Sequence, residues 1–290
     1  MSHLHDEELI AALRERFAEK RKAIDELRYL TEKLESTNRC LQESEALKGH
    51  FLSNIRNEIN NPLAAIMGLA AQLRDGSCNG ERVALNGRLI YDEACELDFQ
   101  LENVFTAAGL EAGREAPEPA QIDVGGIIAD VIETVEHRCC EKEIRVRNAL
   151  ASPLPFAADP RFLRIILRNL VANAVEFSPS KGVVTIDAVA DESFLQVTVE
   201  DQGPGIDIAD QETVFARFRQ LDEGRCRNHR GLGLGLSICR ALAELSGGNI
   251  GIESTPGAGS TFKLNLPRPT ADVESLMPDE NLFFAAEERF

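Results

Sequence analysis

Apolar residues recur on a seven-residue repeat near the start of the chain, where residues 4–52 hold no Pro and only one Gly, Gly49. Ile10, Phe17 and Ile24 occupy one seam position, and Leu13, Leu27, Leu34 and Leu41 the other; Lys20, Thr31 and Asn38 interrupt the seam. Glu, Lys and Arg crowd the remaining positions. A heptad kept up over about five repeats predicts a coiled coil, most simply a parallel dimer. The alternative is one amphipathic helix lying on its own domain. The helical pattern goes on from residue 45 to about 74, and DGSCNG (75–80) breaks it. A second run from about 82 to 111 carries an apolar stripe of Leu85, Leu89, Ile90, Leu97, Leu101, Val104 and Phe105. Two long helices joined by a short polar loop make a hairpin. Each hairpin has one wide apolar face, so two copies would close a four-helix bundle.

GREAPEPAQ (113–121) reads as a linker, and from about 122 the texture changes. IDVGGIIADVIETVEHRCC and PRFLRIILRNLVANAVEFS read as helices and IRVRNAL as a short strand. VVTIDAVAD and FLQVTVED alternate as a strand hairpin. GLGLSICRALAELSG is a helix with Gly after it as a cap, and NIGIEST and STFKLNLP are two closing strands. The fold class expected is α+β. A coiled-coil helix (1–44), a helical-hairpin dimerisation domain (45–112) and a linker (113–121) precede an α/β sandwich domain (122–267), and an acidic tail (268–290) follows.

Charge narrows the range of partners. The net charge of −17 and pI near 4.8 give a surface that repels nucleic acid and anionic lipid. No apolar run approaches the ~20 residues of a membrane span, and MSHLHDEELI lacks the apolar core of a secretion signal. The expectation is a cytoplasmic protein with no membrane insertion. The seven cysteines are odd in number, form no CxxC pair, and include the adjacent Cys139 and Cys140; they read as isolated thiols, with redox sensing as the alternative.

Four short stretches in the C-terminal domain carry candidate chemistry. Asn169, Asn173 and Glu176 are spaced four and three apart and share one helix face; two carboxamides there can coordinate a hard cation through oxygen. In DQGPGI, Asp201 ends a strand and can accept from an exocyclic amine such as that of adenine, while Gly203 and Gly205 leave room for a flat ligand. RGLGLGLSI sets Gly231, Gly233 and Gly235 just before a helix, whose unpaired N–H groups attract phosphate. PGAGSTF (256–262) gives a tight turn into a strand. Each stretch alone is a common loop or polar surface; four in this order at element boundaries are not.

With these residues in view, 45–267 resembles the core of a bacterial two-component sensor histidine kinase. NLVANAVEF is similar to the N box of that family, DQGPGI to its first glycine box, VFARFRQLD to its F box, GLGLGL to its second glycine box, and FLSNIRNEINNPL to its H box. The resemblance implies ATP and Mg2+ as cofactors, with Asn173, helped by Asn169, on the metal. It implies that Asp201 contacts adenine, that Gly203 and Gly205 floor the pocket, and that Gly231, Gly233 and Gly235 hold the phosphates. It places Glu176, Phe177, Leu234 and Thr261 around the nucleotide, beneath a lid over roughly 215–230 that carries Arg217, Arg219, Arg225, Arg227 and Arg230. The partners implied are a second copy of the chain and a response-regulator receiver domain, with another histidine kinase or a separate sensor protein as source of the input.

Two departures from the family bear on function. The acceptor position before Glu58 in the H box holds Asn57. An amide nitrogen delocalises its lone pair into the carbonyl and is no nucleophile, so Glu58 has no proton to take. Of His3, His5, His50, His137 and His229, only His50 lies on the same helix, two turns or ~10 Å before Asn57 and without a neighbouring Glu. Glu176 stands where the family carries a basic residue; a carboxylate ~6 Å from a phosphate charge costs roughly 2–3 kcal/mol at an effective dielectric of 20, an argument for weakened ATP binding. One feature is kept. Glu58 and Asn61 preserve the E-x-x-N spacing, which resembles the pair that orients water against a receiver's phospho-aspartate, and Pro62 resembles the family's helix-kinking proline.

Four readings remain open on sequence. The chain is an ATP- and receiver-binding protein that cannot phosphorylate its own H box, acting as a phosphatase or a partner of other kinases. Or it is an active kinase, using another acceptor or carrying an engineered His-to-Asn change. Or it is an ATPase of the wider superfamily, such as a chaperone or DNA-repair clamp. Or it is a nucleotide-free dimeric scaffold.

Overall fold

A computed structural model describes residues 55–75, 80–150, 153–217 and 232–269, and, of the first 54, Arg16, 20–22, 28–31, 33–35 and 37–38. The chain divides into two units, residues 1–54 and 55–290. In the first, every described residue is helical, and Tyr29, Leu30 and Leu34 are exposed along it. Apart from Leu34, the apolar seam residues of the coiled-coil pattern lie outside the described residues, as do the acidic tail from 270 and His50.

The second unit opens with the helical hairpin. Helix α1 covers residues 55–74 and helix α2 Gly80–Glu111. They are tied by polar groups: Asn86 Nδ2 donates to Gln72 Oε1 at 3.3 Å, and Gln100 Nε2 to Glu58 Oε2 at 3.5 Å. The buried residues of α2 are Asn86, Gln100, Asn103, Thr106 and Gly109, none of them from the predicted apolar stripe. In the single chain, Leu85 and Phe105 of that stripe are 55% and 70% exposed, and Leu89, Ile90, Leu97, Leu101 and Val104 half-buried.

After the linker come β1 (Ala120–Asp123), α3 (Val124–Lys142), β2 (Arg145–Asn148), β3 (Pro155–Ala158) and α4 (Pro160–Phe177). Then follow β4 (Val183–Ala190), β5 (Phe194–Asp201), a 3-10 turn at Thr213–Phe215, α5 (Gly235–Leu245), β6 (Asn249–Ser254) and β7 (Ser260–Pro267). The main sheet runs β2-β4-β5-β7-β6, antiparallel except for β2 against β4. Its strands alternate as half-buried surfaces do: Val184 and Ile186 of β4, Leu195, Val197 and Val199 of β5, and Phe262, Leu264 and Leu266 of β7 point to the core, with polar neighbours between them. Helix α4 lies between α3 and α5 on the inner face of the sheet. Its Phe162, Leu163, Ile166, Leu167, Leu170 and Val171 are shut away from solvent.

Two strands differ from the sequence expectation. Ala120 and Gln121, read as linker, already belong to β1, which pairs antiparallel with β3 (Ala120↔Ala158 to Asp123↔Pro155) in a separate two-stranded sheet. Four residues on each side are too few for a period to show. The helix read from 122 starts at Val124, because Asp123 caps it, Oδ1 accepting from Gly125 N at 3.0 Å and Leu154 N at 2.8 Å. Asp159 caps α4 in the same way, with Pro160 at its first position. Residues 247 and 248 end α5: Gly247 N donates to Glu244 O and Gly248 N to Ala243 O.

Leu170, closed in by the sheet and its neighbouring helices, tests this packing. Leu170→Ala should lower the unfolding free energy by about 2–5 kcal/mol in a denaturant titration followed by circular dichroism.

Candidate functional site

Asp201 is the last residue of β5, and only 6% of it is exposed. Its Oδ1 accepts from Gly203 N at 2.7 Å and from Ser260 N at 3.3 Å, which fixes the carboxylate and leaves Oδ2 for an outside donor. Burial raises the Asp201 carboxyl above its ordinary value, against the lowering effect of those two backbone donors. Gly205 lies behind it with φ +70°, and a Cβ there would run into the carbonyl of Thr255. The carbonyl of Phe177, at the end of α4, closes the other side, 2.9 Å from where a Cβ on Gly203 would stand. The glycines are thus required by close packing of this loop against Thr255 and the end of α4, which holds the loop beside the Asp201 carboxylate.

The phosphate end predicted from sequence is partly described. Gly233 has φ +65°, Leu234 is buried as the N-cap of α5, and Gly235 begins that helix. Gly235 must be small, because a Cβ would come within 2.5 Å of Asn169 Oδ1. Gly231, Arg227 and the lid arginines other than Arg217 lie outside the described residues. Arg217 Nη1 meets Glu111 Oε1 of α2 at 3.2 Å. Thr261, half-buried on β7, pairs in register with Glu200 and Glu253.

On α4 the three residues that sequence put on one face have different neighbours. Asn169 is 3% exposed and is held by Asn103 of α2: Asn169 Nδ2 donates to Asn103 Oδ1 at 2.8 Å, and Asn103 Nδ2 to Asn169 Oδ1 at 3.0 Å. Asn173, one turn on, is half-buried. Glu176 turns to α3, its carboxylate 3.6 Å from Lys142 Nζ, and the same ammonium donates to the carbonyls of Val175 and Glu176. The repulsion expected of Glu176 is thus opposed by a cation, and nothing at the level of sequence joins position 142 to 176.

On the hairpin, Asn57 is exposed on α1 and Glu58 half-buried beside it. Gln100 Nε2 donates to Glu58 and, at 3.0 Å, to Glu96 Oε1, so Glu58 has a neighbour holding it that sequence reasoning missed. Asn61 is exposed, and Pro62 is buried within a helix that runs on unbroken. The residues fit ATP with a hard cation: a fixed buried carboxylate, glycines with no room for a Cβ, and on α4 the amide oxygen of Asn169 against Gly235 at the start of α5.

A nucleotide cradle behind an H-box-like helical hairpin defines a class, and comparison with known proteins agrees. Residues 47–113 match the model of the His Kinase A (phospho-acceptor) domain, and 158–270 that of the histidine kinase-, DNA gyrase B-, and HSP90-like ATPase. The chain belongs to the histidine kinase family of two-component signalling proteins. Sensor-like histidine kinase SenX3 of Mycobacterium tuberculosis is 32% identical over 236 residues, 81% of this chain and 57% of that protein. Sensor histidine kinase AruS of Pseudomonas aeruginosa is 33% identical over 264 residues, 88% of this chain and 26% of that protein. The chain thus spans about half or less of the length of these curated relatives. Among solved structures, full-length ShkA in complex with AMPPNP is 31% identical with a TM-score of 0.54, over 76% of this chain and 46% of that one. Histidine kinase AdeS of Acinetobacter baumannii, at 21% identity and TM-score 0.51 over 73% of this chain and 97% of that one, shares the fold. Among the described residues, no helix is long and apolar enough to cross a membrane.

The buried Asp201 predicts a pH-dependent stability. A raised native pKa favours the protonated form, so its stabilising effect is full below about 3.8 and is lost as pH rises through the native value. Asp201→Asn keeps an acceptor for Gly203 N and Ser260 N. It should raise the melting temperature relative to wild type at pH 7, the gain shrinking to nothing near pH 3.8, while affinity for ATP falls.

Proposed function

We propose that this chain is a Mg-ATP-binding signalling core that engages a receiver domain as a homodimer and does not phosphorylate its own H box. The observation that carries the reading is Asn57, an exposed amide at the acceptor position with Glu58 positioned beside it. The amide nitrogen has its lone pair delocalised into the carbonyl and offers none for attack on the γ-phosphoryl group. In this reading Asp201 takes the adenine amine, Asn173 and Asn169 take the magnesium that screens the phosphates, and the glycines before α5 admit the phosphate chain. Glu58 and Asn61 hold a water against a receiver's phospho-aspartate, a task that needs no imidazole. The ion pair of Glu176 with Lys142 supports nucleotide binding over the scaffold reading, because it ties down the carboxylate that would repel phosphate. Exposed Leu85 and Phe105 on the hairpin support pairing with a second copy.

Incubation with γ-labelled ATP should leave wild-type protein unlabelled, while Asn57→His gains acid-labile phosphate; label on wild type defeats the reading. Mg-ATP at about a hundred times its Kd should raise stability by about 2.7 kcal/mol in a thermal melt. With a receiver charged from acetyl phosphate, the chain should speed loss of label, and Asn61→Ala should remove that acceleration by about tenfold or more.

A further inference from the structure

Helix α2 grips the catalytic domain along one face. Glu96, Phe99 and Asn103, spaced three and four apart, point the same way, with Glu102 beside them. Arg138 of α3 and Arg168 of α4 stand over the Phe99 ring, 5.3 and 5.0 Å from its centroid. Arg138 also forms an ion pair with Glu96, and Arg168 bonds Glu102 at 2.8 Å and Asp98 at 3.3 Å. Arg168 is largely buried, its side chain 15% exposed, so its pairing with Glu102 is less screened than an open surface pair. At the centre lies the reciprocal amide pair of Asn103 and Asn169, both buried.

That pair uses up the Asn169 side chain. Its two N–H groups go to Asn103 Oδ1 and to Ile165 O at 2.9 Å, while its oxygen accepts from Asn103 Nδ2 and rests against Gly235. An amide oxygen has two lone pairs; here Asn103 Nδ2 takes one and Gly235 packs against the oxygen of a side chain only 3% exposed, so no open side is left for a divalent cation while Asn103 is in place. We propose that Asn103 of the hairpin and the metal-phosphate end of ATP compete for Asn169. The docked hairpin holds nucleotide affinity down, and Mg-ATP in turn loosens the hairpin. This rests on the reading of the domain as a Mg-ATP site, and it adds the residue that opposes binding.

The test is the affinity of the full chain for Mg-ATP, by displacement of a fluorescent ATP analogue. Asn103→Ala should tighten binding by at least about fivefold, a normal coupling between linked sites. A merely structural role for Asn103 predicts the opposite sign. Binding of ATP in EDTA should change less, because the competition is for the metal ligand. If Asn103→Ala melts far below wild type, Glu102→Lys at the rim replaces it, with the same expectation. Equal or weaker Mg-ATP binding in the variant overturns the proposal and leaves the nucleotide reading intact. Binding in neither protein removes both.

Discussion

The cap at Asp159 sets the catalytic domain. This buried carboxylate accepts three backbone N–H groups: Arg161 and Phe162 at the start of α4, at 2.8 and 3.0 Å, and Glu118 of the linker at 2.7 Å. One side chain therefore fixes where α4 begins and where the chain enters the domain. Because α4 is then packed against sheet and helices along its apolar face, its rotation is fixed too. Arg168, Asn169, Asn173 and Glu176 have no choice of direction. Arg168 and Asn169 meet the hairpin and Glu176 meets α3.

Much of this was legible in sequence, where pattern or local chemistry decided it. The long helices, the β4–β5 hairpin and the glycine stretches at element boundaries show as periods and punctuation. Asp201 was legible as a strand-end carboxylate, and its surroundings add the two backbone donors that fix it. What stayed hidden depends on pairing between distant segments. The strands β1 and β3 are four residues each and exist only through each other. The Lys142–Glu176 pair and the Asn103–Asn169 pair join positions 34 and 66 residues apart, a distance no periodicity reports. The face carrying Glu96, Phe99 and Asn103 had a readable spacing, but it was masked by the apolar stripe on the same helix.

The hairpin around Asn57 is held by polar contacts of its neighbours. Asn57 is exposed on α1, and Glu58 has a polar neighbour in Gln100. Buried polar groups are costly unless paired, so the bond from Asn86 to Gln72 favours one register of α1 against α2. The geometry around the acceptor position is thus sustained by interactions that do not involve it.

Eight residues, Ala112–Pro119, separate the end of α2 from the start of β1. Fully stretched they reach no more than about 29 Å, and Pro117 and Pro119 stiffen them further. Tethering on so short a leash gives each half a local concentration of the other on the order of millimolar. Grip and release then behave as a first-order event, indifferent to how much protein the cell makes, and even a contact too feeble to hold two free domains together would stay populated.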